Sequence, residues 1–291
     1  MGALIWLASY PKSGNTWMRT FLHNLLRDAH EPVDINKLGD FCLGEPARQW
    51  FEPHADRPLE ELNPEEMARL RPLGQVDMTK VFHDSVFVKT HNYLGAWHGV
   101  PLHNMAVTAG AIYIVRNPLD VALSAQYHFN LPLDETIDAM ELANAGTPLT
   151  ELTLPQIFRS WSEHVRSWTA QRSPQLLVLR YEDLLSDPYR HFGIVARFLG
   201  LQPTEDRIER AIRFSSFEKL KSLEEERGFL EKPRHSEAFF RSGKSDQWRE
   251  ELAPDQVRRI IGAHRGQMER FGYIPDEYIN VPARNIRNAA K

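Results

Sequence analysis

The chain has 291 residues, 42% of them hydrophobic and 25% charged, a globular balance at a length that suits one large α/β domain or two small ones. A formal net charge of -4 argues against a nucleic-acid-binding protein and still leaves room for a local basic pocket. The single cysteine, Cys42, excludes an intrachain disulfide and a cysteine-based metal cage.

No internal repeat or low-complexity segment interrupts the chain, and a single domain over 1–291 is expected. No apolar run reaches the length of a membrane span. The start has neither the basic region nor the cleavage pattern of a signal peptide. Trp6 stands where a myristoylation motif needs Ser or Thr. The expectation is a soluble protein of a reducing, cytoplasmic compartment.

In chain order, Leu4–Ser9 is a short apolar run that fits a buried parallel strand. From Trp17 the apolar residues follow a helical period, and Pro32 marks the end of that helix. Residues 32–80 are rich in proline and irregular, with a helix expected from Pro64 to Arg71. Ser85–Lys89 and Ala111–Arg116 are two more buried strands, and Asn117-Pro118 starts a helix running to Tyr127. Gln156–Gln171 has a helical period, Leu176–Arg180 is a fourth strand, and helices follow near Tyr189–Leu199, Glu205–Arg213 and Asp255–Phe271. This alternation predicts an α/β fold with a central parallel sheet and helices on both faces. Such sheets bind ligands beyond the C-terminal strand ends, and three of the four strands end there in Lys12, in Lys89 with His91, and in Arg116.

The turn at Lys12 joins a strand to a helix, which offers free backbone N–H groups and a dipole favourable to anions. Gly14 permits close approach of a ligand, Ser13 and Thr16 add hydroxyls, and Lys12 adds charge. An ordinary tight connection with a solvated lysine fits the turn equally well. A nucleotide-hydrolysing P-loop needs a glycine, four residues, then Gly-Lys-Ser/Thr. Here the order is Lys12-Ser13-Gly14, and Ala238 stands where Gly243-Lys244-Ser245 would need its leading glycine.

The stretch YPKSGNTW closely resembles the YPKSGTTW signature of the PAPS-dependent sulfotransferases of the cytosolic and bacterial type. Further landmarks follow in order. Lys89-Thr90-His91 is similar to the family's Lys-Thr-His, and RNPLDVALS from Arg116 to Ser124 to its 3′-phosphate motif. Arg180-Tyr181-Glu182-Asp183 resembles its tyrosine-glutamate-aspartate stretch, Ser215-Ser216-Phe217 its Thr-Ser-Phe, and Phe240-Arg241-Ser242-Gly243 with Trp248 its C-terminal nucleotide loop. The likeness covers most of the chain and is weakest at 32–80 and 130–155.

The resemblance implies 3′-phosphoadenosine 5′-phosphosulfate (PAPS) as sulfuryl donor, 3′-phosphoadenosine 5′-phosphate (PAP) as product, and a P-loop-like strand–turn–helix site. Lys12, Ser13, Gly14, Asn15 and Thr16 would hold the 5′-phosphosulfate. Arg116 and Ser124 would hold the 3′-phosphate, with Phe240, Arg241, Ser242 and Gly243 closing over it. Trp17 and Phe217 would flank the adenine, and Tyr181 and Ser215 would bond to it. Taken alone, Trp17 and Phe217 would more often be core residues and Arg116 a surface charge or an ion-pair partner; their shared register with one family motif favours the functional reading. His91 would be the base that takes the acceptor's proton, active as its pH passes the ordinary imidazole value of about 6.5. Lys12 would stabilise the leaving phosphate, with Lys89 beside it in the catalytic set. No catalytic metal is implied, and no metal-ligand spacing occurs. The acceptor is read as a small hydroxylated molecule. A kinase-like phosphotransferase and a non-catalytic nucleotide-binding protein are the alternatives.

Some positions depart from the family pattern. Asn15 replaces a threonine, with its amide expected to bond the donor instead. Ser242 replaces a lysine, with Lys244 expected to compensate. Tyr127-His128-Phe129 arrives one residue late, which leaves the pocket role of Phe129 open. Phe41, Trp50, Phe51 and Trp97 suit either acceptor-pocket walls or core. Arg249 is retained from the family's dimer motif, but Ala253-Pro254 replace its Thr-Val, so a monomer or a dimer through another surface is expected.

Overall fold

The structure, a computed structural model, describes residues 2–283; the single-domain reading of 1–291 runs past these at both ends. Five strands, β1 (Leu4–Ser9), β2 (Cys42–Gly44), β3 (Val86–Thr90), β4 (Thr108–Val115) and β5 (Leu176–Arg180), form one sheet in the order β2-β3-β1-β4-β5, with every pairing parallel. Residues alternate between its faces, as an extended chain requires. Leu4, Trp6 and Ala8 of β1, with Ala111, Tyr113 and Val115 of β4, enter one core. Leu7, Ile112 and Ile114 enter the other.

The longer helices are α1 (Asn15–Leu26), α2 (Pro64–Met78), α3 (Pro118–Phe129), α4 (Leu133–Glu141), α5 (Trp161–Thr169), α6 (Tyr181–Ser186), α7 (Pro188–Phe198), α8 (Glu205–Phe214), α9 (Phe217–Arg227) and α10 (Pro254–Phe271). Met18 and Phe21 of α1, Phe192 and Val195 of α7, and Ile208 of α8 cover one face. Residues of α2, α3, α4, α5 and α10 cover the other. From central β1 the chain builds outward to β3 on one side and β4 on the other. The crevice outside its C-terminal end is therefore the topological switch point where such sheets take ligands.

The predicted strands lie within a few residues of the observed ones. The exception is β2, which falls in the segment read as irregular; three residues carry no readable period. The first helix ends at Leu26 rather than near Pro32, since Asp28 takes a left-handed φ of 48°. Helix α2 runs past Arg71 with Pro72 in its interior. Burial of Met67, Leu70 and Met78 offsets the roughly 3 kcal/mol a mid-helix proline costs. Gln156–Gln171 is not one helix: Gln156 and Ile157 pair with Gly146–Thr147, and α5 begins after Ser160, which forms a capping box with Glu163.

Candidate active site

The chain leaves β1 through Tyr10 and Pro11 into a turn where Lys12 has φ 66° and Gly14 φ 101°. A Cβ on Gly14 would come within 2.7 Å of the Tyr181 ring, so this turn needs glycine for both conformation and space. The first bond of α1 runs from Met18 N–H to Gly14 O (3.1 Å), leaving the N–H groups of Asn15, Thr16 and Trp17 without partners inside the helix. Asn15 Nδ2 donates to Leu7 O (2.8 Å) and Ser9 Oγ (3.4 Å). Its amide thus ties the helix start to β1, contrary to the expected ligand role, and its backbone N–H is the donor that stays free.

Above this turn lies a cavity of about 530 Å³ lined by Lys12, Arg19, Lys89, Arg116 and Arg241 against two carboxylates, Asp120 and Glu231. The excess of cations makes it an anion site. Arg116 Nη1 donates to Lys12 O (2.9 Å) and Nη2 to Lys244 O (3.3 Å), with its guanidinium 4.4 Å from the Tyr181 ring centroid. Lys244 therefore contributes a carbonyl, and its ammonium does not line the cavity. Arg116 Nε and Trp17 Nε1, from two residues that line this cavity, are buried donors without a protein partner, which suits a polyanionic nucleotide. Burial, with Lys89 and Arg116 nearby, lowers the Lys12 ammonium to about 7. Lys12 Nζ donates to His128 Nδ1 (3.4 Å) and sits 4.1 Å from the Phe239 ring centroid.

His91 lies one residue beyond β3. Its Nδ1 is 2.8 Å from Ser9 O. A carbonyl oxygen only accepts, so Nδ1 carries the proton and Nε2 presents a lone pair. His164 Nε2–H donates to His91 O (3.1 Å), and its Nδ1 accepts from Tyr113 O–H (2.9 Å), which steadies the backbone beneath the ring. Burial, aided by the Lys89 charge, holds the His91 pKa well below the ordinary imidazole value.

Lys12, Gly14, Asn15, Thr16, Trp17, Lys89, His91, Arg116, Ser124, Tyr181, Phe217, Phe240, Arg241, Ser242 and Gly243 all line this cavity. Two predicted residues are not among its walls. Ser13 is buried beneath the turn, and Ser215 Oγ donates to Ala211 O (2.8 Å) and Ile212 O (3.2 Å), closing the end of α8. Phe51 is fully buried in the core, and Trp50 and Trp97 pack against it. Phe41 stacks on His23 with ring centroids 4.9 Å apart. The apolar walls are instead Leu123, Phe129, Phe158 and Phe239.

Sequence reading missed Arg19, Asp120 and Glu231. Asp120 accepts from the N–H groups of Asp246 (2.8 Å) and Trp248 (3.1 Å), so the motif that supplies Arg116 also anchors the C-terminal loop. Glu182, beside Tyr181, accepts from Asn117 N–H (2.9 Å) and Tyr273 O–H (2.8 Å), joining the start of α6 to that of α3. A signal for Arg19 existed: it lies three residues after Thr16, hence on the same helical face. Glu231 sits in a charged loop where nothing local distinguishes it.

The parallel sheet, the strand–turn–helix over its central strand and the cationic cavity define an α/β protein of P-loop-like build with an anion site at the sheet's C-terminal edge. Residues 4–272 match the family described as the sulfotransferase domain, and the chain belongs to that family. Cytosolic sulfotransferase 14 of Arabidopsis thaliana is 27% identical over 87% of this chain and 72% of its own length. Flavonol 3-sulfotransferase of Flaveria bidentis is 26% identical over 88% and 78%. A crystal structure of retinol dehydratase with androsterone and inactive cofactor PAP shares the fold, with a TM-score of 0.65 at 22% identity over 91% of this chain and 80% of that one.

Proposed function

We propose that this sulfotransferase moves the sulfuryl group of PAPS to a hydroxyl of a small apolar acceptor. The observation that carries the reading is the Nδ1–H bond of His91 to Ser9 O, which leaves a neutral Nε2 at the wall of a cationic cavity. In this reading Nε2 takes the acceptor's proton as its oxygen bonds to sulfur and the bond from sulfur to the bridging oxygen breaks. Lys12 and Lys89 stabilise the charge that develops on the leaving phosphate and the transferring oxygens. Arg116 and Ser124 hold the 3′-phosphate, Arg241 closes from the C-terminal loop, and Trp17 and Phe217 flank the base. These side chains supply the positive charge the reaction needs, so the reading uses no metal ion.

The acceptor class rests on the aromatic wall, where Phe158 meets the His91 ring edge-on at 6.4 Å between centroids. The relatives include a flavonol sulfotransferase, and a planar phenol or similar alcohol suits such a surface. The chain is proposed to act as one domain in the cytoplasm, in keeping with relatives named cytosolic; among the described residues no helix is long and apolar enough to cross a membrane. The test is transfer of radiolabelled sulfate from PAPS to a panel of phenols, alcohols and sterols. Acceptor-dependent transfer lost in His91→Ala supports the reading. Failure to bind PAP at micromolar concentrations overturns it.

A further inference from the structure

The carboxylate of Glu231 is bonded to two cations inside the cavity. Both of its oxygens accept from Arg19 Nη2 (2.8 and 2.7 Å), and Oε2 also accepts from Lys89 Nζ (3.1 Å). Arg19 is almost fully buried, with 2% of its side chain exposed, and its Nη2 also reaches Thr16 Oγ1 (3.3 Å) in the first turn of α1. Glu231 comes from the segment after α9, which Asn36 fixes through Leu230 N–H (2.7 Å) and Gly228 O (3.2 Å). The segment thus places its own anion on cations supplied by α1 and β3.

Lys89 and His91 are two residues apart and both line this cavity, with the Lys89 charge close enough to act on the imidazole. Resting on the donor assignment above, the sulfur must lie beside His91, because the acceptor oxygen stands between the two. The sulfuryl oxygens then fall within reach of Lys89. The nucleotide's 3′-phosphate belongs at Arg116, which is not among the cations that Glu231 bonds. We infer that Glu231 occupies the sulfuryl position in the donor-free enzyme and must leave it for PAPS, while PAP, which lacks that group, binds with Glu231 in place. Glu231 is therefore a specificity-determining residue that favours the desulfated nucleotide over the sulfated one. Burial works to raise its pKa, but Lys89 and Arg19 outweigh it and bring the group to about 2, so the carboxylate is an anion at every working pH.

The test compares dissociation constants for PAPS and PAP, without acceptor, in the wild type, Glu231→Gln and Glu231→Asp. The two ligands differ only in the sulfuryl group, so a general disturbance of the loop moves both alike and cancels in their ratio. Glu231→Gln should tighten PAPS by about tenfold, equivalent to about 1.4 kcal/mol, and leave PAP within about threefold. Glu231→Asp keeps the charge and should keep a ratio near the wild type's. Equal shifts for both nucleotides in Glu231→Gln, weaker binding of PAPS, or an aspartate variant that behaves like the glutamine one would overturn the inference. A wild type that binds neither nucleotide would fail the donor assignment instead.

Discussion

In the proposed reaction His91 acts as its neutral form and Lys12 as its charged form. A base must be neutral, and burial beside Lys89 moves the His91 pKa well below 6.5. The acid limb expected near the ordinary imidazole value is thus displaced downward, and turnover should be flat from pH 7.5 to 6.5; a midpoint near 6.5 in the kcat profile would contradict this. His91→Ala should lower kcat by about 10²–10⁴-fold with PAP affinity retained by calorimetry. His91→Gln should fare no better, because an amide cannot take the proton. Lys12 must be charged to hold an anion, and its pKa is about 7 in the free protein. The charged form prevails below that value, so PAP affinity should fall as pH rises through it. Binding near pH 7.5 should then take up protons, read as a dependence of calorimetric enthalpy on buffer ionisation. Lys12→Met should flatten the pH dependence, and an affinity constant from pH 6 to 9 in the wild type would refute the role. Arg116 also supports Lys12 O, so its loss disturbs the turn as well as the proposed phosphate contact.

At the scale of elements, the turn before α1 and the loop after α9 meet across the cavity. Gly243 has φ 65°, and a Cβ there would lie 2.2 Å from the Phe217 ring. Gly243→Ala should displace either the ring or the loop and weaken PAP by about tenfold or more, since each charge-assisted bond contributes roughly 1.5–3 kcal/mol. Its unfolding temperature should hardly change, because residues 241–247 are partly or fully exposed. A large drop in stability with PAP affinity intact would assign Gly243 to the core instead. These elements were unequally legible. Lys12, Gly14 and Trp17 share one octapeptide and were readable together. Glu231 meets Lys89 across 142 residues, and no local pattern reports such a contact.

At the scale of the whole molecule, Arg71 of α2 and Glu45 after β2 form an ion pair with neither side chain exposed. Glu45 also accepts from Asn92 Nδ2 (2.9 Å), and Asn92 Oδ1 accepts from Ile157 N–H (2.7 Å). This network fastens the edge strand and the ribbon at Gly146–Ile157 to the chain beside His91. Arg71→Met leaves a buried carboxylate without its cation and should cost about 3–5 kcal/mol, measurable by urea unfolding; a loss under about 1 kcal/mol would show that the remaining amide donors suffice. Arg249 pairs with Glu277 (2.8 Å) and lies 4.4 Å from the Trp248 ring centroid, so it has partners within the chain. Arg249→Glu should leave the oligomeric state unchanged in light scattering, and dissociation of an oligomer by this variant would restore the segment as an interface.

The sequence by itself determined the parallel α/β sheet, because short buried apolar runs and period-3.6 helices are local patterns, and it picked out most of the residues that line the cavity, because YPKSGNTW, Arg116–Ser124 and Phe240–Gly243 are contiguous stretches. Only the tertiary structure decided the rest. It turned the Asn15 amide back to β1, closed Ser215 onto its own helix, and sent Phe41, Phe51 and Trp97 to the core while Phe129, Phe158 and Phe239 lined the cavity. Whether an aromatic side chain packs inward or walls a pocket, and which carboxylate meets which cation, depends on segments brought together from distant parts of the chain. That information lies in the packing of the whole fold rather than in any stretch of residues.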